Sequence, residues 1–437
     1  MSAPSPTEVP MAGQSAPQDA AADEQGLFRD RNFLGLWLVS TVHNLGEKLF
    51  FVFLIMLADF HGNQSNSVVS ALSLASSIPS VLFGSVAGVF VDRFSLRALM
   101  IVSGLLRALL VLAIPFAGDA VWPLLGFSFG FSVLTRFHDP AFMKAIPALV
   151  RKDHLMAANS VFMTTMVGAL IGSFALAGPI WRVATPGRAH LVVVALYLVC
   201  ALGAALLRVP EDQKKQEGAK QGSFWAEWSF AFAYLKAHPR LLKAYSMTMT
   251  MFGTFAALNV IAKGFALSAL KTTDPADFTY ILAFVGLGMV AGALILGRWG
   301  LRFAKPALIR TGFALSGSAI FALAVVGVFA QALGPAIAWP LVYALAVGIG
   351  AGGACIEIPI STLLQEGIEE EVRGRIFGVQ AMLMNLASTL PMALAGPLAD
   401  LWGPAVVMGL FGLLMGGMAF LRLADAIGTK VQGHSAG

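Results

Sequence analysis

Several ionisable side chains lie within stretches of the sequence that are otherwise apolar. Glu47 and Lys48 are adjacent in HNLGEKLFF, and Arg136, His138 and Asp139 fall within TRFHDP. A charge at the centre of a bilayer costs roughly 2.5–3.5 kcal/mol on insertion scales, so such residues are expected to face a partner or a cavity. A carboxyl group in that position can take up a proton from one side of a membrane and release it to the other.

The acids are therefore the candidates for proton binding. Glu47 is the first choice, and the alternatives are Asp139 and Glu357, which lies in the apolar stretch ACIEIPI. A structural interpretation stays open, because Arg136 and Asp139 are three residues apart on one helical face and can pair with each other. Glu47 can likewise pair with a basic residue of another helix.

Other polar residues in apolar stretches are candidates for lining a substrate cavity. They are Asn44, Arg136, His138, Asn159, Lys263 and Asn385. Hydrogen bonding between helices explains the amides equally well. Arg107 stands alone in an apolar stretch, and we expect it to be the structural partner of an acid such as Glu47 or Asp139. Lys263 can instead extend its charged head to the membrane surface.

The composition is that of a membrane protein. Of the 437 residues, 57% are hydrophobic and 12% are charged, and the mean hydropathy is +0.76. An average soluble domain has about twice that charged fraction. Two cysteines give neither a disulfide framework nor a metal site. The sequence shows no catalytic constellation or nucleotide-binding loop. The basic residues are dispersed, so we expect no nucleic-acid partner. Because the sequence shows no catalytic residues and no nucleotide-binding loop, we also expect no enzyme activity and no cofactor, with energy taken from the proton gradient.

Twelve apolar stretches have about the 20 residues that a membrane-spanning helix needs. In the first half of the chain they cover 33–59, 66–91, 97–117, 121–147, 157–180 and 187–208. In the second half they cover 242–269, 278–298, 304–331, 336–364, 376–399 and 403–425. The sequence predicts an all-α membrane protein with twelve transmembrane helices.

The two halves share landmarks at a nearly constant offset. Pro140 and Pro359 are 219 positions apart, and the prolines of two Gly-Pro pairs, Pro179 and Pro397, are 218 apart. This repeat favours a duplication into two pseudo-symmetric six-helix bundles. The predicted domains are a disordered cytoplasmic tail at 1–26, bundles at 27–208 and 242–425, a cytoplasmic linker with an amphipathic stretch at 209–241, and a cytoplasmic tail at 426–437.

Basic residues are concentrated in alternate connections between the apolar stretches. The connections at 208–243 and 298–310 contain seven and four of them. Short connections rich in Lys and Arg stay in the cytoplasm, which places both termini there in a multi-pass protein of the inner (plasma) membrane. Arg182 and Arg188, between the fifth and sixth stretches, are exceptions to this pattern.

The stretch GVFVDRFSLR, after the second predicted helix, resembles the loop motif of the major facilitator superfamily, G-x-L-a-D-R-x-G-r-k. Gly88, Asp92, Arg93 and Arg97 match that motif. The resemblance implies that this gating loop pairs with neighbouring helix ends in one transport state and separates from them in the other. In the alternative interpretation, Arg93 and Arg97 only anchor the helix ends on the cytoplasmic side.

Other stretches resemble the third drug–proton antiporter group of that superfamily, which includes macrolide and siderophore exporters. They are RNFLGLWLVSTVHNLGEKLFF at 31–51, ALVRKDHLMAANSV at 148–161, EWSFAFAYLKAHPRLL at 227–242 and EEEVRGRIFGV at 369–379. The bacterial lysophospholipid transporter has a similar A-N segment and the same fold.

The resemblance implies a secondary transporter that works by alternating access, as a monomer surrounded by membrane lipid. Its expected activity is proton-coupled export of an amphipathic or hydrophobic small molecule of the drug, macrolide or siderophore class. A lysophospholipid transporter or flippase is the alternative. A membrane-bound binding protein without transport is the third interpretation.

Overall fold

The structure, a computed structural model, describes residues 28, 30–151, 154–184, 187–209, 229, 233–368 and 370–420. Twelve long α-helices cover most of these ranges. They are α1 (Arg31–Phe60), α2 (Asn66–Arg93), α3 (Leu96–Leu112), α4 (Val121–Leu149), α5 (Leu155–Ala184), α6 (His190–Leu206), α7 (Pro239–Gly264), α8 (Phe278–Trp299), α9 (Lys305–Leu333), α10 (Pro335–Gly367), α11 (Glu370–Trp402) and α12 (Pro404–Phe420). The predicted tails at 1–26 and 426–437, and most of the predicted linker, lie outside the described residues.

These helices agree with the twelve predicted stretches and confirm the fold class. By length and composition, seven of the described helices can cross a membrane, and α6 and α12 are shorter apolar helices. Several predicted ends differ by three to six residues, such as the start of α11 at Glu370 in place of 376, and two differences have a local cause. α3 ends at Leu112 because the chain continues as a short 3-10 turn, Ile114–Ala117, that contains Pro115. α7 passes at its end into a π-helical segment, Phe265–Ala269.

We call the end of the molecule where α1 begins the proximal end, and the opposite end the distal end. Short connections make successive helices antiparallel, so the connections after α1, α3, α5, α7, α9 and α11 lie at the distal end. Contacts between the first two of these agree: Asn63 Nδ2 donates to the Asp119 carbonyl over 3.3 Å, and His61 Nδ1 lies 3.1 Å from the Asp119 carboxylate.

Two helix pairs make most of the contacts between the N-terminal half (α1–α6) and the C-terminal half (α7–α12). α2 packs against α11, and α5 packs against α8. A Cβ at Gly178 of α5 would lie 3.3 Å from the Tyr280 hydroxyl, and a Cβ at Gly396 of α11 would overlap the Asn66 carbonyl. Gly178 and Gly396 belong to the repeated Gly-Pro pairs, so the repeat places small residues at matching crossings.

Ser70 of α2 enters the backbone hydrogen bonding of α11. Its hydroxyl donates to the Met392 carbonyl over 2.6 Å and accepts from the Gly396 N–H over 3.0 Å. In a regular helix these two backbone groups would bond to each other, so the hydroxyl replaces one bond of α11 just before Pro397. The distal part of α11 is thereby attached to the N-terminal half.

Small residues also let α10 pack closely within the C-terminal half. In the stretch GIGAGGA, a Cβ at Gly350 would overlap the carbonyl of Val285 on α8. A Cβ at Gly352 would overlap the Ser316 hydroxyl on α9. This close backbone approach fixes the position of α10, and with it that of Glu357 in the next turn.

Candidate functional site

Three helices of the N-terminal half bring ionisable groups together around His43 of α1. His43 Nε2 lies 3.3 Å from Asp139 Oδ1 on α4 and 3.9 Å from Glu47 Oε2, one turn further along α1. On the other side of the ring, His43 Nδ1 lies 2.7 Å from a guanidinium nitrogen of Arg107 on α3. We call His43, Glu47, Arg107, His138 and Asp139 the imidazole cluster.

His138 of α4 is the second imidazole of this cluster. Its ring stacks on that of His43 with the centroids 4.1 Å apart, and its Nδ1 lies 3.1 Å from Ser103 Oγ on α3. The residue is 1% exposed, and its Nε2 has no hydrogen-bond partner among the described residues. Buried polar atoms are nearly always hydrogen-bonded, so this nitrogen is a place for a proton or a water molecule.

Arg107 is fully buried, with 0% of its surface exposed. Its Nε donates to the Ser103 carbonyl over 3.2 Å. Its guanidinium carbon lies 4.9 Å from the ring centroid of Tyr197 and 5.7 Å from that of Phe131. Aromatic faces stabilise a cation that has lost its water, which explains how this charge is kept inside the bundle.

Arg107, expected to be the structural partner of an acid such as Glu47 or Asp139, contacts neither carboxylate directly among the described residues. His43 lies between Arg107 and the carboxylates of Glu47 and Asp139, so the imidazole connects the cation to both acids. Sequence reasoning missed His43. Its spacing from Glu47 could have identified it in the sequence, because residues four apart share one face of a helix.

Both acids of the cluster also have a cation beside them. Lys48 Nζ lies 3.0 Å from Glu47 Oε1, and Arg136 lies 3.6 Å from Asp139 Oδ2. The second contact is the pair that the three-residue spacing predicts. Each carboxylate therefore has one oxygen near a cation and the other oxygen towards His43.

Glu357 of α10 is the predicted acid of the C-terminal half. Its Oε1 accepts from the Ser361 hydroxyl over 2.9 Å, and its buried Oε2 has no partner among the described residues. Glu357 and Asp139 both lie ten residues before the last residue of their helices, about 15 Å along the axis from the proximal helix ends. The repeat thus places an acid at the same helical level in each half.

The three predicted amides take different positions. Asn44 Nδ2 donates to the Ser40 carbonyl over 2.8 Å, a bond within α1. Asn159 on α5 and Asn385 on α11 are exposed. A substrate-binding role for these amides stays a prediction.

The expectation that Lys263 extends its charged head to the membrane surface is wrong. It is 1% exposed, and its Nζ lies 2.7 Å from Asp59 Oδ1 at the distal end of α1. Lys263 therefore lies away from the imidazole cluster, where it forms a buried ion pair between the two halves. A buried lysine needs such a partner, because an unpaired charge in this position is strongly unfavourable.

Asp400, near the end of α11, makes a second contact between the halves at the distal end. Its carboxylate accepts from the backbone N–H groups of Asn66 and Ser67 at the start of α2, over 2.8 and 2.9 Å. It also accepts from the Ser65 hydroxyl over 2.6 Å. The first N–H groups of a helix have no partner within the helix and favour an anion, so Asp400 caps α2 from the opposite half.

Arg182, near the end of α5, makes the third contact. Its guanidinium nitrogens lie 2.6 Å from Asp274 and 2.7 Å from Asp277, in the connection between α7 and α8, and 2.7 Å from the Tyr280 hydroxyl. These acids explain why Arg182 departs from the charge pattern of the other connections. We call the contacts of Lys263, Asp400 and Arg182 with the opposite half the distal latch.

The predicted gating loop lies at the proximal end, between α2 and α3. Arg93 is the exposed last residue of α2. Arg97, in the first turn of α3, donates to the Ala205 carbonyl near the end of α6, where unpaired carbonyls favour a cation. Gly88 and Asp92 lie within α2, and the side chain of Asp92 lies outside the described residues.

A cavity of about 280 Å³ occupies the distal part of the N-terminal half. Its walls are mainly apolar, and three polar side chains contribute to it: His61, Asp119 and His190. Val111 and Val193, which also line it, lie one helical turn from Arg107 and Tyr197. The cavity therefore approaches the imidazole cluster from the distal side.

Comparisons with known proteins decide the family. The model of the Major Facilitator Superfamily matches residues 36–391. The chain belongs to the major facilitator superfamily. The MFS-type transporter YvqJ of Bacillus subtilis is 24% identical over 419 residues, which cover 91% of this chain and 94% of that protein. The fold matches the crystal structure of the nucleoside transporter NupG with a TM-score of 0.66 at 13% identity, covering 91% of this chain and 98% of that one.

The chain is also similar to a macrolide efflux protein. Macrolide efflux protein A of Streptococcus pyogenes is 24% identical over 342 residues, which cover 77% of this chain and 82% of that protein. These findings confirm the family resemblance. The protein is a membrane transporter of small-molecule substrates, not an enzyme.

Proposed function

We propose that the transporter exports an amphipathic or hydrophobic small molecule in exchange for protons, by alternating access. The imidazole cluster carries this proposal. It places two carboxylates, two stacked imidazoles and a guanidinium together on α1, α3 and α4. Ionisable groups are costly inside a membrane and mark proton or substrate pathways there. The similarity to macrolide efflux protein A supports export and the substrate class.

Glu357 is the proton-binding candidate of the C-terminal half. Its one hydrogen bond among the described residues comes from a hydroxyl group, and its second carboxylate oxygen is buried without a partner. An acid in this setting can gain a proton without breaking an ion pair. Each half then contains an acid that can bind a proton. Protons and substrate compete for the path between the halves.

In this proposal the distal end faces the outside of the cell. The basic connections place the proximal end and both termini in the cytoplasm, with the transporter a monomer in the plasma membrane. The distal latch then closes the outward side, and export requires it to open. The gating loop at 88–97 stabilises the other state, in which the outward side is open, as the resemblance to the family's loop motif implies.

Transport into proteoliposomes tests the proposal. The purified transporter is placed in liposomes with an acidic interior, and potassium with valinomycin holds the membrane potential constant. Ethidium carries a permanent charge and does not follow a pH gradient by itself, so we expect it to accumulate only where the transporter is present. Collapse of the pH gradient by an ionophore should release it.

Protein-free liposomes are the control, and labelled erythromycin is a second probe. Uptake of both probes equal to that of protein-free liposomes would overturn proton-coupled export. Uptake of labelled lysophospholipid in place of both probes would instead favour the alternative transporter of the same fold.

A further inference from the structure

The contacts of His43 assign its tautomer. A neutral imidazole has one N–H and one lone pair, and an arginine side chain only donates hydrogen bonds. Because Arg107 lies 2.7 Å from His43 Nδ1, that nitrogen accepts, and the N–H is on Nε2. Nε2 then donates towards Asp139 Oδ1 at 3.3 Å. In this conformation His43 is therefore neutral.

A further proton on His43 is incompatible with the Arg107 contact. An imidazolium has an N–H on both nitrogens, so Nδ1 would direct a hydrogen at another donor 2.7 Å away. Two cations would also face each other. On the opposite side of the ring, the carboxylates of Asp139 and Glu47 would stabilise the imidazolium. Proton binding to His43 and its contact with Arg107 thus exclude each other.

His138 limits the stacked pair to one proton. Its ring lies 4.1 Å from that of His43, and two imidazoliums at that distance would repel each other. His138 is held to α3 by Ser103, and His43 is held to α3 by Arg107. Both imidazoles are therefore bonded to side chains of α3.

The other polar groups that the structure describes around the stacked imidazoles do not bond to His43 Nδ1. Lys48 and Arg136 contact the oxygens of Glu47 and Asp139 that face away from the ring. From α6, the Tyr197 hydroxyl donates to the His43 carbonyl over 3.2 Å. From α5, the Ser173 hydroxyl bonds to the Leu45 carbonyl. Only Arg107 competes with a proton for the lone pair of His43 Nδ1 among the described residues.

We propose that His43 is the proton-binding residue of the exchange cycle and that Arg107 is its competitor. This inference rests on the proposed proton-coupled function and names the group that carries the proton. A proton binds at Nδ1 when Arg107 withdraws, and it is lost from Nδ1 when Arg107 returns. Glu47 and Asp139 are the counter-ions that hold the imidazolium within the membrane.

Two substitutions test the competition. In His43→Asn the side-chain oxygen can still accept from Arg107, but the residue cannot bind a proton. In Arg107→Gln a neutral donor replaces the cation, so a proton binds His43 more easily. The readout is ethidium binding to the purified transporter as a function of pH, because in an antiporter a bound proton excludes the substrate.

In the wild type, we expect ethidium binding to weaken as the pH falls. His43→Asn should bind ethidium with the same affinity across the pH range and should move no protons in liposomes. Arg107→Gln should shift the midpoint of the pH dependence upward by about one unit or more. His238→Asn, at an exposed histidine before α7, is the matched control and should keep the wild-type profile.

The outcomes separate the two proposals. If the wild type moves no protons with ethidium, proton exchange fails, and the role of His43 fails with it. If the wild type exchanges protons but His43→Asn keeps the wild-type pH dependence, only the role of His43 is overturned. Should His43→Asn fail to fold, an unshifted midpoint in Arg107→Gln would overturn that role by itself.

Discussion

At the scale of single residues, the acids of the two halves have different surroundings. Glu47 and Asp139 each lie between a cation and His43, whereas Glu357 has only a serine hydroxyl as partner among the described residues. A proton on Glu47 or Asp139 weakens an ion pair, and a proton on Glu357 does not. The three predicted proton sites are therefore not equivalent.

Glu357→Gln tests the acid of the C-terminal half. Glutamine keeps an oxygen that can accept from Ser361, so the fold should be retained while the titratable group is lost. Because His43 is proposed to bind the exchanged proton, we expect Glu357→Gln to retain ethidium accumulation driven by the pH gradient and ethidium exchange at equal pH. Loss of most of the gradient-driven accumulation would assign the proton to Glu357 instead. Glu366→Gln, an exposed acid of the same helix, is the control and should transport normally. Normal accumulation by Glu357→Gln would show that the proton is carried in the N-terminal half alone.

Residue types were predictable from the sequence, but their partners were not. The apolar setting of Glu47, Asp139 and Glu357 identified them, because isolated charges stand out in such stretches. The partners of Arg107 and Lys263 depend on which helices lie next to each other, and helical periodicity gives only the face on which a residue lies. His43 was overlooked although its spacing from Glu47 was visible in the sequence.

At the scale of helices, the distal latch connects elements that are far apart in the chain. Lys263 of α7 is buried against Asp59 of α1 with no other hydrogen-bond partner among the described residues. Removing one partner of a buried ion pair leaves the other charge without compensation, which costs about 3–5 kcal/mol. An exposed pair contributes about 1 kcal/mol or less.

Lys263→Met should therefore destabilise the transporter far more than Lys305→Met. Lys305 pairs with Glu366 over 2.6 Å, but that pair is partly exposed, which makes it a matched control. Adding Asp59→Asn to Lys263→Met should restore most of the lost stability, since no buried charge is then left alone. Thermal unfolding in detergent measures all three variants. Equal melting temperatures for Lys263→Met and Lys305→Met would contradict the buried pair.

The helices themselves were predicted well, for a physical reason. A membrane-spanning helix needs about 20 apolar residues, and the connections between such stretches are short and polar. The differences arise where local chemistry ends a helix early, as at Pro115 after α3. The distal latch could not be predicted, because Asp400 and Ser65 are 335 residues apart and their contact depends on how the halves pack.

At the scale of the whole molecule, the proposed alternating access requires the two halves to move relative to each other at the distal end. Ser67 Oγ and Asp400 Oδ2 lie 2.5 Å apart across that interface. A disulfide between Ser67→Cys and Asp400→Cys, in a background without Cys200 and Cys355, should stop transport. Reductant should restore it, and each single cysteine variant should be unaffected by oxidant. Full transport by the cross-linked protein would contradict alternating access.

The central claim is that substrate and protons cross the membrane in opposite directions on the same protein. The most direct test loads proteoliposomes with ethidium at equal pH on both sides, dilutes them into ethidium-free buffer, and follows the interior pH with a trapped dye. Efflux of ethidium should drive protons inward and acidify the interior, and reversing the ethidium gradient should reverse the sign. Efflux of ethidium through the transporter with no change in interior pH would contradict the account.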